Sequence, residues 1–338
     1  MAEKVVLGLS GGVDSAVAAA LLKEQYEVHC LWLDIGLGSG EDAAALAKGM
    51  GLPFYTADIR PALEREVCAP FAADYLAGRT PLPCARCNPA VKFPALLALA
   101  DEIGAGYVAT GHYARVKDGV LYRGLPANDQ AFLLARLPRE ILQRVIFPLG
   151  GYEKAQVRAK AEGLGLAVAQ KPDSMEICFI PDNDYVGWLE RRGAAAPAGN
   201  FVDREGNILG RHKGVHAYTL GQGRGLGVSG PHRYYVSELR PDSGEVVLSD
   251  GKDLFTDRVW GTEPNWIAVE GLDGPMEVTA RIRHSRTETA ATLLPNGGGV
   301  ELRFHTPVRA PTPGQMAVFY QGDAVVGSAW IRKEQDSE

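Results

Sequence analysis

The segment Lys4-Val-Val-Leu-Gly-Leu-Ser-Gly-Gly-Val-Asp-Ser15 combines a short apolar strand with a glycine-rich turn, and the helix-forming residues 16–22 follow directly. In such a strand–turn–helix unit, backbone N–H groups and the positive end of the helix dipole meet at the turn, where glycines let an anion approach closely. The segment lacks the Lys-Ser/Thr ending of a Walker A loop, and no Walker A motif occurs elsewhere in the chain. It therefore predicts a phosphate-binding loop of another type.

Beyond this loop, strand-like and helix-like segments alternate. The predicted strands span residues 28–33, 53–55 and 107–110, and the predicted helices span residues 43–49, 61–76, 93–103, 131–143 and 153–162. This alternation predicts parallel βαβ units with helices on both faces of one sheet. Ligands of such sheets bind at the carboxyl ends of the strands, where Ser10, Asp34 and Gly111-His112 fall.

After residue 199 the pattern changes to short strands separated by turns such as Asp203-Arg-Glu-Gly206 and Pro241-Asp-Ser-Gly244. Helical periodicity nearly disappears, which indicates small β-barrels or sandwiches. We therefore predict an α/β protein with a parallel-sheet catalytic domain over residues 1–199. A small β domain over residues 200–262 and a β-barrel-like domain over residues 263–338 complete the prediction.

Composition excludes several classes of protein. Of the 338 residues, 46% are hydrophobic, yet the longest apolar run, residues 93–100, is too short to span a membrane. The first residues lead straight into a strand without a secretory pattern, so we expect a cytoplasmic protein without membrane contact. The net charge of −6 argues weakly against a nucleic-acid partner. Residues 204–240, however, hold six basic residues against two acidic ones and offer phosphate contacts.

The five cysteines are Cys30, Cys68, Cys84, Cys87 and Cys178. So few thiols, odd in number, do not suit a disulfide scaffold, and the close pair Cys84 and Cys87 favours metal or redox chemistry. Cys30 and Cys68 lie among apolar neighbours within a strand and a helix and are predicted to be core residues.

Motifs along the whole chain carry a resemblance to a known family. They are, in order, residues 8–15, Cys84-Ala-Arg-Cys87-Asn88, Gly111-His112-Tyr113-Ala114, Phe147-Pro-Leu-Gly150, Asp173-Ser-Met-Glu-Ile-Cys178-Phe-Ile180, Tyr218-Thr-Leu-Gly-Gln222 and Pro313-Gly-Gln315. The first resembles the pyrophosphate loop of the N-type ATP pyrophosphatases, which transfer AMP from ATP. Together, over residues 4–332, they resemble the bacterial tRNA-specific 2-thiouridylases, which place sulfur on C2 of the wobble uridine of Glu, Lys and Gln tRNAs.

The resemblance implies a role for each matching residue. ATP, with Mg²⁺ held in part by Asp14, would bind at Gly8, Leu9, Ser10, Gly11, Gly12, Val13, Asp14, Ser15, Leu33 and Gly111. Cys87 would be the nucleophile and Cys178 the persulfide carrier, with sulfur coming from a donor protein or free sulfide. The target uridine would meet Leu82, Pro83 and Cys84, and other tRNA contacts would fall on His112, Asn128, Asp129, Gln130, Arg283, His284 and Gln315.

Three positions depart from the family pattern. Leu33 stands where Met is usual, and His284 where Tyr is usual; both changes keep a similar packing or stacking surface. Cys84 stands where many members carry Asp. Cys84, Cys87 and Cys178 then offer three soft ligands, as expected for a 4Fe–4S cluster with one open iron. A Cys178 persulfide resolved by Cys87 and a structural zinc site are the alternatives.

Two other functions and several single residues stay open at this stage. The rival functions are an amidotransferase-like pyrophosphatase that uses ammonia and a non-catalytic tRNA-binding or sulfur-carrier protein. Asp173 suits a general acid or a turn cap equally. The pair His212 and His216 has metal-like spacing, but in a strand it favours a surface or RNA contact. Lys154, Arg158 and Lys160 share one helix with little acid beside them.

Overall fold

The computed structural model of the chain describes residues 2–171, 177–285 and 287–333. The elements of the first part are β1 (Glu3–Gly8), α1 (Val13–Leu22), β2 (Tyr26–Asp34), α2 (Glu41–Met50), β3 (Phe54–Asp58), α3 (Arg60–Leu63), α4 (Ala69–Leu76), α5 (Pro83–Cys87), α6 (Phe93–Ile103), β4 (Tyr107–Ala109), β5 (Ala114–Lys117), β6 (Val120–Arg123), α7 (Ala131–Leu134), α8 (Arg139–Leu142), β7 (Val145–Ile146), α9 (Lys154–Gly163) and α10 (Tyr185–Arg191). π-helical turns, Glu64–Cys68 and Asn88–Lys92, join α3 to α4 and α5 to α6.

A parallel sheet forms the centre of this part, with strand order β3-β2-β1-β4-β7 among the described residues. Alternate residues of β1 enter different cores, as the two-residue repeat of a strand requires. Val6 packs into the apolar cluster that contains α6, whereas Val5 and Leu7 pack with α1 and α9. The predicted parallel α/β architecture with helices on both faces is therefore confirmed.

The single helix predicted over residues 131–143 is wrong. The structure has two one-turn helices there, α7 and α8, and Pro138 immediately precedes the second. The backbone of Pro138 is extended, with ψ of 153°, and proline cannot donate the N–H that a continuous helix needs. The break turns the chain back toward β7.

Antiparallel strands dominate the remainder of the chain. They are β8 (Gly199–Val202), β9 (Ile208–His212), β10 (Tyr235–Arg240), β11 (Glu245–Ser249), β12 (Phe255–Trp266), β13 (Met276–Arg281), β14 (Thr289–Asn296), β15 (Gly299–Arg309), β16 (Met316–Gln321) and β17 (Ala324–Arg332). Strands β8 to β11 form one sheet. Strands β12 to β17 form another, which the pairing of β12 with β17 closes into a barrel. The boundaries predicted from the sequence fall at the start of β8 and inside β12.

The carboxyl-terminal barrel packs directly on the first part of the chain. The hairpin β5–β6 joins the barrel sheet beside β17, where Ala324 pairs with Tyr122. One apolar cluster contains Phe93 of α6 together with Met316 and Trp330 of the barrel. The barrel therefore packs against α6 and the hairpin β5–β6. Over the residues that the structure describes, none of the helices is both long enough and apolar enough to cross a membrane.

Candidate active site

The glycine-rich loop after β1 is closed by hydrogen bonds between its own serines and backbone. The Ser15 hydroxyl donates to the Gly12 carbonyl at 3.0 Å and lies 3.2 Å from the Ser10 hydroxyl. No side chain caps the first turn of α1, so its N–H groups stay available to an anion. Ser10 is exposed, while Leu9, Gly11, Val13 and Ser15 are buried. The loop therefore has the geometry of a phosphate cradle.

Asp14, on the first turn of α1, is held by two side chains that come from elsewhere in the chain. The Lys154 ammonium lies 2.7 Å from each of its carboxylate oxygens. The Tyr113 hydroxyl donates to the same carboxylate at 2.7 Å. Asp14 was predicted to help hold Mg²⁺, so a metal at this carboxylate would have to exchange with the ammonium. Sequence reasoning missed this role of Lys154, although its acid-poor helix was a signal.

Gly111 lies directly against the glycine-rich loop. A Cβ atom added to Gly111 would lie 3.0 Å from the backbone of Asp14 and of Ser15, which is too close for any larger residue. Gly8 at the end of β1, Leu33 near the end of β2 and Gly111 just after β4 meet at one edge of the sheet. Leu33 is half-buried and packs against apolar clusters on this side. The predicted ATP residues are thus brought together, although their contacts with ATP stay a prediction.

The segment around Cys84 and Cys87 is helical. Pro83 occupies the first turn of α5, a position where its missing N–H costs nothing. The spacing of three residues places both thiols on one side of this turn. Cys84 is exposed and Cys87 half-buried, and Cys178, from a distant segment, is also exposed. All three are free thiols.

Electrostatics shows that these thiols are neighbours. The pKa of Cys87 is raised to about 11, chiefly by burial; the positive charge of Lys92 lowers it, and nearby Cys178 and Cys84 contribute to the rise. The pKa of Cys178 is likewise raised, first by the surrounding protein and then by Cys84. His112 has a pKa well below its usual value because of burial and because Lys92 adds positive charge. One ammonium group, that of Lys92, therefore acts on two thiols and on the residue after Gly111.

The three cysteines suit an iron–sulfur cluster better than a site for a single metal ion. Within the described ranges, no three His, Cys, Asp or Glu side chains lie close enough to share a single metal ion. That finding gives no support to the zinc alternative. Three free cysteines would suit a 4Fe–4S cluster by donor type, because such a cluster distributes its ligands over several irons. Cluster and persulfide both stay hypotheses for Cys84, Cys87 and Cys178.

The triplet Asn128, Asp129 and Gln130 is engaged within the protein. The Asn128 side chain accepts from the backbone N–H of Lys154 at 3.2 Å, and that of Gln130 accepts from the N–H of Tyr113 at 2.9 Å. The Asp129 side chain is only 3% exposed and pairs with Arg281 of the barrel at 2.9 Å. The triplet thus supports the two residues that hold Asp14. Its contact with tRNA stays a prediction.

The other predicted tRNA residues differ in accessibility. Arg283 and His284 are exposed on the barrel after β13, and the His284 ring lies 5.8 Å from that of Phe132. His112 is half-buried, and its ring Nδ1 lies 2.7 Å from the Thr110 hydroxyl. The Gln315 amide donates to the carbonyls of Thr80 and Pro81, just before Leu82, Pro83 and Cys84.

The expectation of a surface or RNA contact for His212 and His216 is wrong. Their exposed fractions are 5% and 0%, and each ring Nδ1 accepts from a backbone N–H, of Gly214 and Ala196 respectively. Both rings are therefore structural. Cys30 and Cys68 are buried, as predicted. Asp173 lies outside the residues that the structure describes.

The basic residues of the central β region are only partly available to a polyanion. Arg204 pairs with Asp253, and Arg240 pairs with Glu238 and Glu245. Arg233 lies over the ring of Tyr235. Phosphate contacts in this region would rest mainly on the members of the set that carry no such ion pair.

Comparison with family models divides the chain into three parts. Residues 3–182 match the tRNA methyl transferase HUP domain, residues 187–250 match the tRNA methyl transferase PRC-barrel domain, and residues 256–331 match the aminomethyltransferase beta-barrel domain. The three matches follow the order of the parallel sheet, the sheet of β8 to β11 and the barrel.

Curated relatives match over nearly the full length. The tRNA-specific 2-thiouridylase MnmA of Heliobacterium modesticaldum is 44% identical over 99% of this chain and 94% of its own. The proteins of the same name from Lachnoclostridium phytofermentans and Geobacter metallireducens are 42% and 41% identical. These matches cover 98% and 97% of this chain, and 100% and 96% of the relatives. The chain therefore belongs to the tRNA-specific 2-thiouridylase family.

Proposed function

We propose that the protein converts the wobble uridine of tRNA to 2-thiouridine in two steps, adenylation of the C2 oxygen by ATP and replacement of that oxygen by sulfur. The observation that supports the proposal is the joint placement of a phosphate cradle and three free thiols. Gly111 touches the cradle, and Lys92 acts electrostatically on the adjacent His112 and on Cys87 and Cys178. Both steps therefore have their groups at one edge of the sheet.

The first step makes a poor leaving group into a good one. Residues 8–15 would hold the β- and γ-phosphates through the N–H groups of α1, and Leu33 and Gly111 would lie along the adenosine. The C2 oxygen attacks the α-phosphorus, and the α–β bond breaks to release pyrophosphate. AMP is then the group that leaves C2. A base in this position must first be turned out of its stack, because C2 is otherwise covered by its neighbours.

The second step brings sulfur to C2. In the persulfide route, the Cys87 thiolate attacks Sγ of the Cys178 persulfide, which forms a Cys87–Cys178 disulfide and releases sulfide. The sulfide attacks C2 and AMP leaves, and an external thiol then reduces the disulfide. In the alternative route, Cys84, Cys87 and Cys178 would hold a 4Fe–4S cluster. Such a cluster would supply an iron with one open position for hydrosulfide.

Lys92 suits both routes because a positive charge near the thiols favours anionic sulfur. The substrates we propose are tRNAs of the Glu, Lys and Gln type. The sulfur source would be a persulfide-bearing donor protein in the persulfide route and free sulfide in the cluster route. Mg²⁺ would accompany ATP, with Asp14 as the carboxylate of the loop.

The test uses protein purified under anaerobic conditions and assayed for iron and acid-labile sulfide. It is incubated with unmodified tRNA, ATP and Mg²⁺, and with either sulfide or a donor protein that carries a persulfide, and the nucleosides are then analysed by mass spectrometry. We expect 2-thiouridine together with tRNA-dependent release of AMP and pyrophosphate. Cys84→Ala, Cys87→Ala and Cys178→Ala should each abolish 2-thiouridine while tRNA binding is kept, whereas Cys30→Ala, which changes a core thiol, should keep both.

The same assay separates the alternatives. Full thiolation by iron-free protein supplied with the persulfide-bearing donor would exclude the cluster and leave the persulfide. An ammonia-dependent enzyme would keep its activity in Cys178→Ala, and a non-catalytic tRNA-binding protein would release no AMP. A fully active Cys84→Ala variant would show that the third thiol has no role.

A further inference from the structure

The turn that carries Cys84 and Cys87 is held by α7 and by the carboxyl-terminal barrel. Ala85 and Asn88, between and after the two cysteines, are almost fully buried. The Asn88 amide donates to the Leu133 carbonyl of α7 at 2.9 Å. Ala85 belongs to the same apolar cluster as Trp330 of β17. The orientation of the turn thus depends on elements distant in sequence.

Arg86 is a further attachment, and it lies between the two cysteines. Its guanidinium lies over the ring of Trp330, 5.0 Å from the ring centre. On the other side it approaches the buried carboxylate of Asp74 in α4, at 3.6 Å. That carboxylate oxygen has no other polar partner among the described residues. Arg86 therefore connects the cysteine turn both to α4 and to the barrel.

The residues just before the turn are attached to the barrel as well. The N–H of Thr80 donates to the Pro313 carbonyl at 2.9 Å. The Gln315 amide donates to the carbonyls of Thr80 at 2.9 Å and of Pro81 at 3.3 Å. Gly314 has φ of +88°, and a Cβ atom there would meet the Thr80 carbonyl oxygen at 3.0 Å. Only glycine allows this approach.

We propose that Pro313, Gln315 and Trp330, which we call the barrel brace, position the cysteine turn for sulfur transfer, with Arg86 as its contact on the turn. This inference rests on the proposed function and adds positioning residues to it. Among the described residues, no hydrogen bond joins the glycine-rich loop to the brace, and Asp14 of the loop is held by Lys154 and Tyr113. Damage to the brace should therefore affect the second chemical step more than the first.

The experiment compares Arg86→Met with the wild-type protein in the two half-reactions. Asp14, Tyr113 and Lys154 are unchanged in this variant, so tRNA-dependent pyrophosphate release should stay near the wild-type rate. Formation of 2-thiouridine should fall by about tenfold or more, because small displacements of reacting groups are costly. Arg86→Lys, which keeps a cation over the Trp330 ring, should restore part of this rate. Arg65→Met is the control, because Arg65 is 70% exposed and pairs only locally with Glu66.

Equal losses in the two half-reactions would overturn the proposal, and so would an unchanged rate of thiolation. Amide hydrogen exchange supplies a readout that does not depend on activity. Residues 79–92 should exchange faster in Gln315→Met and Arg86→Met, while α1 keeps its wild-type exchange. If the wild-type protein neither adenylates nor thiolates tRNA, the proposed function fails. Unchanged exchange over residues 79–92 would then still refute the brace itself.

Discussion

Substitution of Arg281 by Met should destabilise the junction between the barrel and the first part of the chain. Arg281 donates to Asp129 at 2.9 Å and to Glu288 at 2.7 Å. Arg123 completes the group through Glu288, at 2.6 Å. The side chains of Arg281 and Asp129 are only 11% and 3% exposed. Two arginines and two carboxylates thus balance each other away from water.

The expected loss of stability depends on the partners that each carboxylate retains in Arg281→Met. Breaking a buried pair costs about 3–5 kcal/mol, because one charge stays buried without its partner. Glu288 keeps Arg123, and Asp129 keeps the N–H groups of Gly124 and Ala131. We therefore expect the lower limit, about 3 kcal/mol. At an unfolding entropy of about 2.1 cal/mol/K per residue, a loss of about 3 kcal/mol lowers the Tm of the 338-residue chain by about 4 °C.

The assay is thermal unfolding followed by circular dichroism, with Arg303→Met as the control. Arg303 pairs with Glu301 on the same barrel but is 54% exposed, so its loss should cost at most about 1 kcal/mol. Adding Asp129→Asn to Arg281→Met should recover part of the loss, because the unpaired carboxylate is removed. A Tm for Arg281→Met equal to that of the control would refute the reasoning.

Three further predictions concern Asp14 and the buried histidines. Lys154→Met should raise the KM for ATP in tRNA-dependent pyrophosphate release, because Asp14 loses its cation beside the phosphate cradle. The control variant Lys48→Met changes an exposed lysine and should leave this KM unchanged. Tyr113→Phe removes one hydrogen bond from Asp14, so the KM for ATP should rise less than in Lys154→Met, by the equivalent of about 1 kcal/mol. A larger rise in Tyr113→Phe than in Lys154→Met would contradict this ranking. Burial lowers the pKa of His212 and His216, so the unfolded chain takes up protons below about pH 6.5 while the folded chain resists them. Tm should therefore fall as the pH is lowered from about 7.5 to about 5.5, and His216→Gln should weaken this dependence of Tm on pH. An unchanged slope of Tm against pH in His216→Gln would be evidence against this role of His216.

Local sequence predicted those features that depend on neighbouring residues. The strand, glycine turn and helix of residues 4–22 follow from hydrophobic pattern and turn chemistry, and the structure has them as β1 and α1. The ends of β1, β2 and β4 could be placed together because parallel strands share an edge. The prediction of one helix over residues 131–143 is wrong because the apolar pattern alone does not reveal the break at Pro138.

The missed contacts are all between residues far apart in the chain. Lys154 lies 140 residues from Asp14, and Gln315 lies 235 residues from Thr80. Neither the hydrophobic pattern nor the helix and strand propensities indicate which residues distant in the chain come into contact. The same limit applies to His212 and His216, whose spacing was visible but whose burial depends on how β8, β9 and the following loop pack.

By itself the sequence determined the phosphate loop, the order of the α/β and β regions, and the set of three thiols outside the core, because each depends on residue type and local spacing. Only the tertiary structure decided which groups those residues meet. It turned the triplet at 128–130 inward onto Arg281, Lys154 and Tyr113, and it placed Gln315 and Trp330 behind the cysteine turn. The reason is physical: buried polar groups must find partners wherever the fold brings donors and acceptors together.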